Sequence, residues 1–226
     1  MLRMKVILFG ATGMIGQGVL RACVADPTVE RVLAVVRSPT GASDAKVREL
    51  THRDFMDYTA IEGELAGYDA CLFCLGVSSA GMSEEEYTKV TYDVTLAAAK
   101  ALLKQSPDAT FLYISGAGTD GTEKGRTMWA RVKGRTENAL LKMPFKRVYM
   151  LRPGYIQPVE GIVSKTTLYR VGYAVLGGLF PLWKAIAPGH VITTAELGRA
   201  MLEVARHGAT KPVLESPDLV PLGRRA

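Results

Sequence analysis

Three cysteines in 226 residues cannot close a disulfide framework, and a chain of this length buries enough core without one. Two of them, Cys71 and Cys74, spell C-x-x-C within DACLFCLG. That string is a strand by composition, and residues three apart on a strand point to opposite faces, so two buried thiols are expected rather than a redox or zinc pair. Histidine is equally scarce: His52, His190 and His207 show no metal-ligand spacing, and no metal is expected. No uninterrupted apolar run is long enough to span a bilayer. The best candidate, Thr166 to Ala187, is broken by Arg170, Lys184, paired glycines and Pro181. No cationic segment followed by a long apolar stretch and a small-residue cleavage site is present, so no secretory signal is read and the expected address is the cytoplasm. The net charge of +6 is scattered apart from short groups such as Lys146–Arg147 and Arg224–Arg225, with no nucleic-acid motif beside it. A nucleic-acid partner is therefore not expected, whereas a modest basic excess suits an anionic cofactor.

What is present alternates. MKVILF (4–9) is a short apolar run ending in glycine, followed by a helix from Met14 to Ala25 that Asp26–Pro27 stops. RVLAVVR (31–37) is a second strand, closed by SPTG. The next stretch, 42–57, is weakly patterned: a short strand near 47–52 is expected, with the second helix truncated or absent. DACLFCLG (69–76) leads to a capping box at Ser83 and Glu86 and a helix to about Lys104. TFLYI (110–114), a helix over about 127–142, and RVYMLR (147–152) ended by Pro153–Gly154 follow. A second capping box, TTAE at Thr193, opens a helix to about Arg206, PVLE (212–215) is a final strand, and the tail LVPLGRRA is expected to be mobile. Strands alternating with helices predict one α/β domain, a doubly wound Rossmann-like parallel sheet with helices on both faces. Its core is expected over about 4–154, a variable substrate-side region over about 155–190, and a closing helix and strand over about 193–216.

Ligands of such sheets bind beyond the carboxyl ends of the strands. The first loop there is GATGMIG, residues 10–16, which follows a strand and opens a helix. In that context Gly10 permits the tight turn, Gly13 lets backbone approach a pyrophosphate and Gly16 permits close helix–strand packing. The helix N-terminus adds free N–H groups and the positive end of its dipole. At the end of the second strand, where an NAD binder usually carries an acid, stand Arg37 and Ser38. A guanidinium there suits the 2′-phosphate of NADP and can stack on adenine, so NADP(H) is favoured over NAD(H); a solvent-facing arginine is the alternative. Asp54 and Phe55, after the third strand, are candidates to flank the adenine.

GATGMIG, Arg37, CLG at 74–76, Ser115, Lys133 and LRPG at 151–154, in that order, resemble the atypical short-chain dehydrogenases/reductases. VTYDVTLAAAKAL and FCLGVSS are most similar to the Tat-interacting-protein-like branch and its bacterial relatives. The resemblance spans about residues 4–160 and fades in the last third. It implies a sheet of order 3-2-1-4-5-6 and a dinucleotide held at Gly10, Thr12, Gly13, Ile15 and Gly16. It also implies cofactor contacts at Cys74, Leu75 and Gly76, a Lys133 contact to the nicotinamide ribose, and the turn of Arg152, Pro153 and Gly154 near the nicotinamide.

The same resemblance implies a Ser–Tyr–Lys reaction centre, in which lysine lowers the tyrosine pKa and the phenol exchanges a proton as hydride moves. Ser115 and Lys133 match two members, but the tyrosine position holds Trp129, and an indole N–H donates without serving as a base. Three outcomes stay open. Another group handles the proton, with Tyr155 the first candidate and Asp120 or Glu123 behind it; Tyr155 also reads as a packing aromatic. Alternatively hydride goes to a flavin- or quinone-like acceptor that takes its proton from water, or the chain binds NADP(H) without turnover and reports redox state to a partner protein. Tyr169, Tyr173, Leu176, Phe180, Leu182 and Trp183 are candidates to line an apolar pocket for an unknown small molecule or to form a contact surface, and oligomerisation is left open.

Overall fold

In a computed structural model of the chain, residues 3–159, 161–162 and 188–224 are described. Seven parallel strands form one sheet, β1 Met4–Phe9, β2 Val29–Val36, β3 Val47–Thr51, β4 Ala70–Phe73, β5 Thr110–Ile114, β6 Arg147–Arg152 and β9 Val213–Glu215, in the order β3-β2-β1-β4-β5-β6-β9. The expected 3-2-1-4-5-6 order is observed, extended by the strand read from PVLE. Two short strands, β7 Tyr155–Gln157 and β8 Val191–Thr193, pair in parallel outside it.

The central strands are apolar throughout because both of their faces are covered. Along β1 the side chains alternate between two cores. Val6 and Leu8 pack with Val19, Leu197 and Met201 on the side of α1 (Met14–Ala25) and α5 (Thr194–His207). Ile7 and Phe9 pack with Leu102 and Leu140 on the side of α3 (Val94–Gln105) and α4 (Met128–Leu141). The C-x-x-C cysteines divide in the same way, Cys71 into the second core and Cys74 against the first. Helices α1 and α5 approach until only glycine fits between them: a Cβ on Gly18 would lie 2.5 Å from Thr194 Cβ, and one on Gly198 2.7 Å from Ala22 Cβ.

The weakly patterned stretch gives the expected strand β3, and the connection back to β4 holds a single 3-10 turn, Thr59–Leu65, anchored by Ile61 and Leu65. The capping boxes at Ser83–Glu86 and Thr193–Glu196 both form. The helix expected as one piece from Ser83 differs, since α2 (Glu84–Thr88) passes through a π-helical turn at Lys89–Asp93 before α3. Across that turn the Arg135 guanidinium sits 4.9 Å from the Tyr92 ring and donates to Thr88 Oγ1, ties that hydropathy spacing does not show.

The described part of the tail expected to be mobile, residues 219–224, belongs instead to helix α6, Ser216–Arg224, with Leu219 and Val220 buried. Pro217 pre-sets the first turn, the Asp218 carboxylate accepts the Glu215 N–H at 2.9 Å, and Arg199 Nε donates to the Gly223 carbonyl at 2.8 Å. Gly223 lies so close to α5 that a Cβ would be 2.2 Å from the Glu196 carbonyl oxygen. The six apolar residues from Tyr169 to Trp183 lie outside the described residues.

Candidate functional site

Every loop singled out from the sequence lies beyond the carboxyl edge of the sheet. The β1–α1 loop turns at Gly10, whose φ of +82° a side chain rarely adopts and whose Cβ would meet the Cys74 carbonyl at 2.7 Å. Gly13 caps α1 with φ −80°, and its N–H closes the turn on the Gly10 carbonyl at 2.9 Å. Gly16 presses the helix onto the loop, since a Cβ there would lie 2.0 Å from Gly10 oxygen. No side chain caps α1 and no acid stands in its first turn, so the N–H groups of Met14, Ile15 and Gly16 face the loop mouth with the dipole's positive end. Thr12 bends through the loop, its carbonyl accepting from Gln17 Nε2 at 3.2 Å. The tight Gly10 turn, the close Gly16 contact and the uncapped first-turn N–H groups give this loop the backbone form and polarity that a pyrophosphate needs.

Around it the strand ends contribute as follows. Arg37 and Ser38 are exposed directly after β2, and among the described residues Arg37 has no hydrogen bond or ion pair. Asp54 is exposed and accepts the Met56 N–H at 2.9 Å, while half-buried Phe55 stands edge-on to Phe9, Tyr58 and His52. Cys74 and Leu75 back onto Gly10, and Gly76 is exposed beyond them.

The second group converges on α4. Ser115, 3% exposed at the end of β5, points its hydroxyl inward and donates it to Glu137 Oε1 at 2.5 Å, with the Leu151 carbonyl at 3.2 Å. Lys133 Nζ donates to the Ser115 carbonyl oxygen from the same helix face. Burial pulls the Lys133 pKa down to about 8, opposed by the Glu137 carboxylate one turn further on. Glu137, 1% exposed, is gripped by Arg152 through both its Nε (3.0 Å) and its Nη2, and Arg152 also reaches Glu215 at 3.1 Å. The hydrogen bonds it donates to Glu137, ahead of the Glu215 contact, push the guanidinium pKa up.

Trp129 is half-buried, one turn before Lys133, with its ring edge on the β5–α4 loop: a Cβ on Gly118 would lie 3.4 Å from it. Gly134 lets that loop run against the helix, since a Cβ would sit 1.7 Å from the Asp120 carbonyl. Pro153 accepts the Ala117 N–H at 2.9 Å, and the Gly154 N–H is taken by Ser216 Oγ, so α6 braces this turn. Tyr155 lies on β7, its phenol donating to Gln157 at 2.8 Å and its pKa raised by burial. The Asp120 carboxylate holds its own loop through Thr122 and Gly125, contacts that keep its pKa low, and Glu123 accepts from Asn138. The structure thus joins Ser115 to Lys133 and adds one residue that the sequence did not mark, Glu137, together with its ion pair to Arg152. The available signal was Lys133-x-x-x-Glu137 on one helix face.

A family profile described as NAD(P)H-binding matches residues 10–155. The chain belongs to that family. Protein fmp52, mitochondrial, of Emericella nidulans is 32% identical over 159 residues, covering 67% of this chain and 66%, just under two thirds, of that protein. Protein fmp52-2, mitochondrial, of Aspergillus terreus is 26% identical over 226 residues, 96% of each chain. A solved short chain dehydrogenase family protein from Francisella tularensis superposes with a TM-score of 0.68 at 12% identity, covering 94% of this chain and 96% of that one, a likeness of fold alone. The NAD(P)H-binding family and the shared Rossmann fold are in keeping with the expected resemblance to the atypical short-chain dehydrogenases/reductases. They correct the cytoplasmic expectation, because the relatives are named as mitochondrial proteins. The secretory pattern bears on one export route only and carries no information on a mitochondrial address.

Proposed function

We propose that the chain is an NADP(H)-dependent oxidoreductase whose acceptor is an apolar, flavin- or quinone-like small molecule. The observation that carries this reading is the Gly10–Gly16 cradle at an uncapped helix N-terminus. When bound, the dinucleotide supplies or takes a hydride. Around it the first-turn N–H groups of α1 hold the pyrophosphate. Arg37 and Ser38 recognise the 2′-phosphate, and Asp54 and Phe55 flank the adenine. Cys74 to Gly76 line the near wall, Lys133 binds the nicotinamide ribose, and Pro153 and Gly154 face the nicotinamide.

The acceptor class follows from the proton bookkeeping. Trp129 cannot act as a base, the Ser115 proton is directed to Glu137, and the Tyr155 phenol donates to Gln157. An acceptor that draws its proton from water fits such a site better than a carbonyl needing a donor on its oxygen. Trp129 also favours a second reading, a non-catalytic NADP(H) binder that signals redox state to a partner protein.

Both are tested by following NADPH oxidation by its absorbance with flavin and quinone acceptors, in native protein and Gly13→Val. The extended backbone at Gly13 suits any residue, but a Cβ would lie 3.3 Å from Gly10 oxygen, tighter than ordinary contact, so the variant's urea midpoint is measured beside its activity to confirm that it is folded. Turnover by native protein, reduced at least about tenfold in the variant, is expected. Tight NADPH binding with no oxidation by any acceptor would transfer the conclusion to the binding reading.

A further inference from the structure

The crossover from β3 to β4 leaves one flank of α3 open. A doubly wound sheet carries helices side by side on each face, but here the neighbour of α3 is only the 3-10 turn Thr59–Leu65. Between that turn and α3 runs a cleft of about 480 Å³, lined in part by Met56, which is 54% exposed. The helical side of the cleft consists of Tyr92, Asp93, Leu96, Ala97, Lys100 and Ala101, from α3 and the π-helical turn before it. Lys100 is exposed and Asp93 half-buried, and among the described residues neither side chain has an ion pair or a hydrogen bond. The two lie seven positions apart, about two turns or ~10 Å along one helix face.

These six residues complement one another. Across a two-fold axis, residue i of one copy meets residue j of the other, and j meets i. An axis crossing α3 between Leu96 and Ala97, with the two helices antiparallel, sets Leu96 against the second copy's Ala97. The same axis sets Tyr92 against Ala101 and Asp93 against Lys100. Two of the three pairings are large against small, which lets the helices approach, and the third joins opposite charges; each is made twice. The lysines that this axis also brings together already have carboxylates in their own copy, Lys89 from Glu85 at 3.1 Å and Lys104 from Glu62 at 2.7 Å. We propose that this face is a homodimer interface, in which α3 of a second copy lies antiparallel across α3 and covers the cleft. The interface belongs to the helix layer and is independent of what the sheet edge binds.

Sedimentation of the native chain and of two charge reversals, Asp93→Lys and Lys100→Asp, tests it. Native protein is expected to be a dimer. Each reversal turns two attractive pairs repulsive and is expected to raise the dimer dissociation constant at least about tenfold. Mixing the two variants in equal amounts is expected to restore a dimer, because each copy then meets opposite charge at both places. The double variant Asp93→Lys/Lys100→Asp is expected to dimerise for the same reason. Recovery in the mixture also shows that both variants are folded, and circular dichroism of each alone checks this directly. Should a reversal unfold the chain, Ala97→Gln, which fills the space that Leu96 of the other copy needs, is expected to weaken the dimer without changing the charge. A native chain that stays monomeric at about 100 μM overturns the proposal and leaves the cleft to another occupant. Folded reversals that dimerise as tightly as native protein overturn it as well, as does a mixture of folded variants that stays monomeric, since another face would then carry the contact.

Discussion

Lys133 makes the residue scale quantitative. Its pKa falls from 10.5 in a model peptide to about 8 in the folded chain. Between those values the unfolded chain binds the proton that the folded chain releases, so stability contributed by this group rises with pH through that window and is lowest below about pH 8. Lys133→Met removes the penalty. Relative to native protein the variant should gain roughly 1–2 kcal/mol in urea unfolding at pH 7, with the gain shrinking toward pH 10. A gain that is constant over that range would show that burial does not lower the Lys133 pKa. At this scale the sequence was legible where a residue's role is backbone shape: Gly10 makes the tight turn and Gly16 the close helix packing that their spacing required. Side-chain direction was not legible. Ser115 was marked, yet nothing in FLYISGAG says that its hydroxyl turns inward to a carboxylate 22 positions away. Glu137 went unmarked because a glutamate in mid-helix reads as solvent-facing until the arginine opposite is known.

Elements were legible to the extent that their signals are local. Both capping boxes formed because serine or threonine and the glutamate three residues on satisfy each other's N–H groups within a single turn. The box at Thr193 also fixes where α5 begins against α1, at the contact where Gly18 meets Thr194. Thr193→Ala should therefore lower stability by about 1 kcal/mol, the usual value of such a cap. That shift is readable as a lower urea midpoint at unchanged slope, and an unchanged midpoint would mean that the cap is redundant with the α1 contact. Nonlocal ties account for what the pattern missed. The π-helical turn at Lys89–Asp93 is bridged by Arg135 from α4, and α6 forms because Arg199, Gly223 and Asp218 dock it onto α5 and β9. A tail ending in Leu-Gly-Arg-Arg-Ala carries little of that on its own.

For the molecule as a whole, the alternation of strands and helices was enough to expect a parallel sheet covered on both faces, whereas its 3-2-1-4-5-6 order was implied by the family resemblance and is observed. That sheet gathers Gly10, Arg37, Phe55, Cys74, Ser115 and Pro153 at one edge from six separate segments. The cellular address was not legible, since it depends on partners of the chain rather than on its packing, and the mitochondrial names of the relatives overturn the expectation. The central claim is that this edge binds NADP(H), with Arg37 choosing between the two dinucleotides. Calorimetric titration of native protein and Arg37→Asp with NADPH and NADH tests it most directly. The expected result is an NADPH preference of at least about tenfold, near 1.4 kcal/mol, that the substitution erases. Equal binding of both dinucleotides by native protein would contradict the role given to Arg37, and binding of neither would contradict the site.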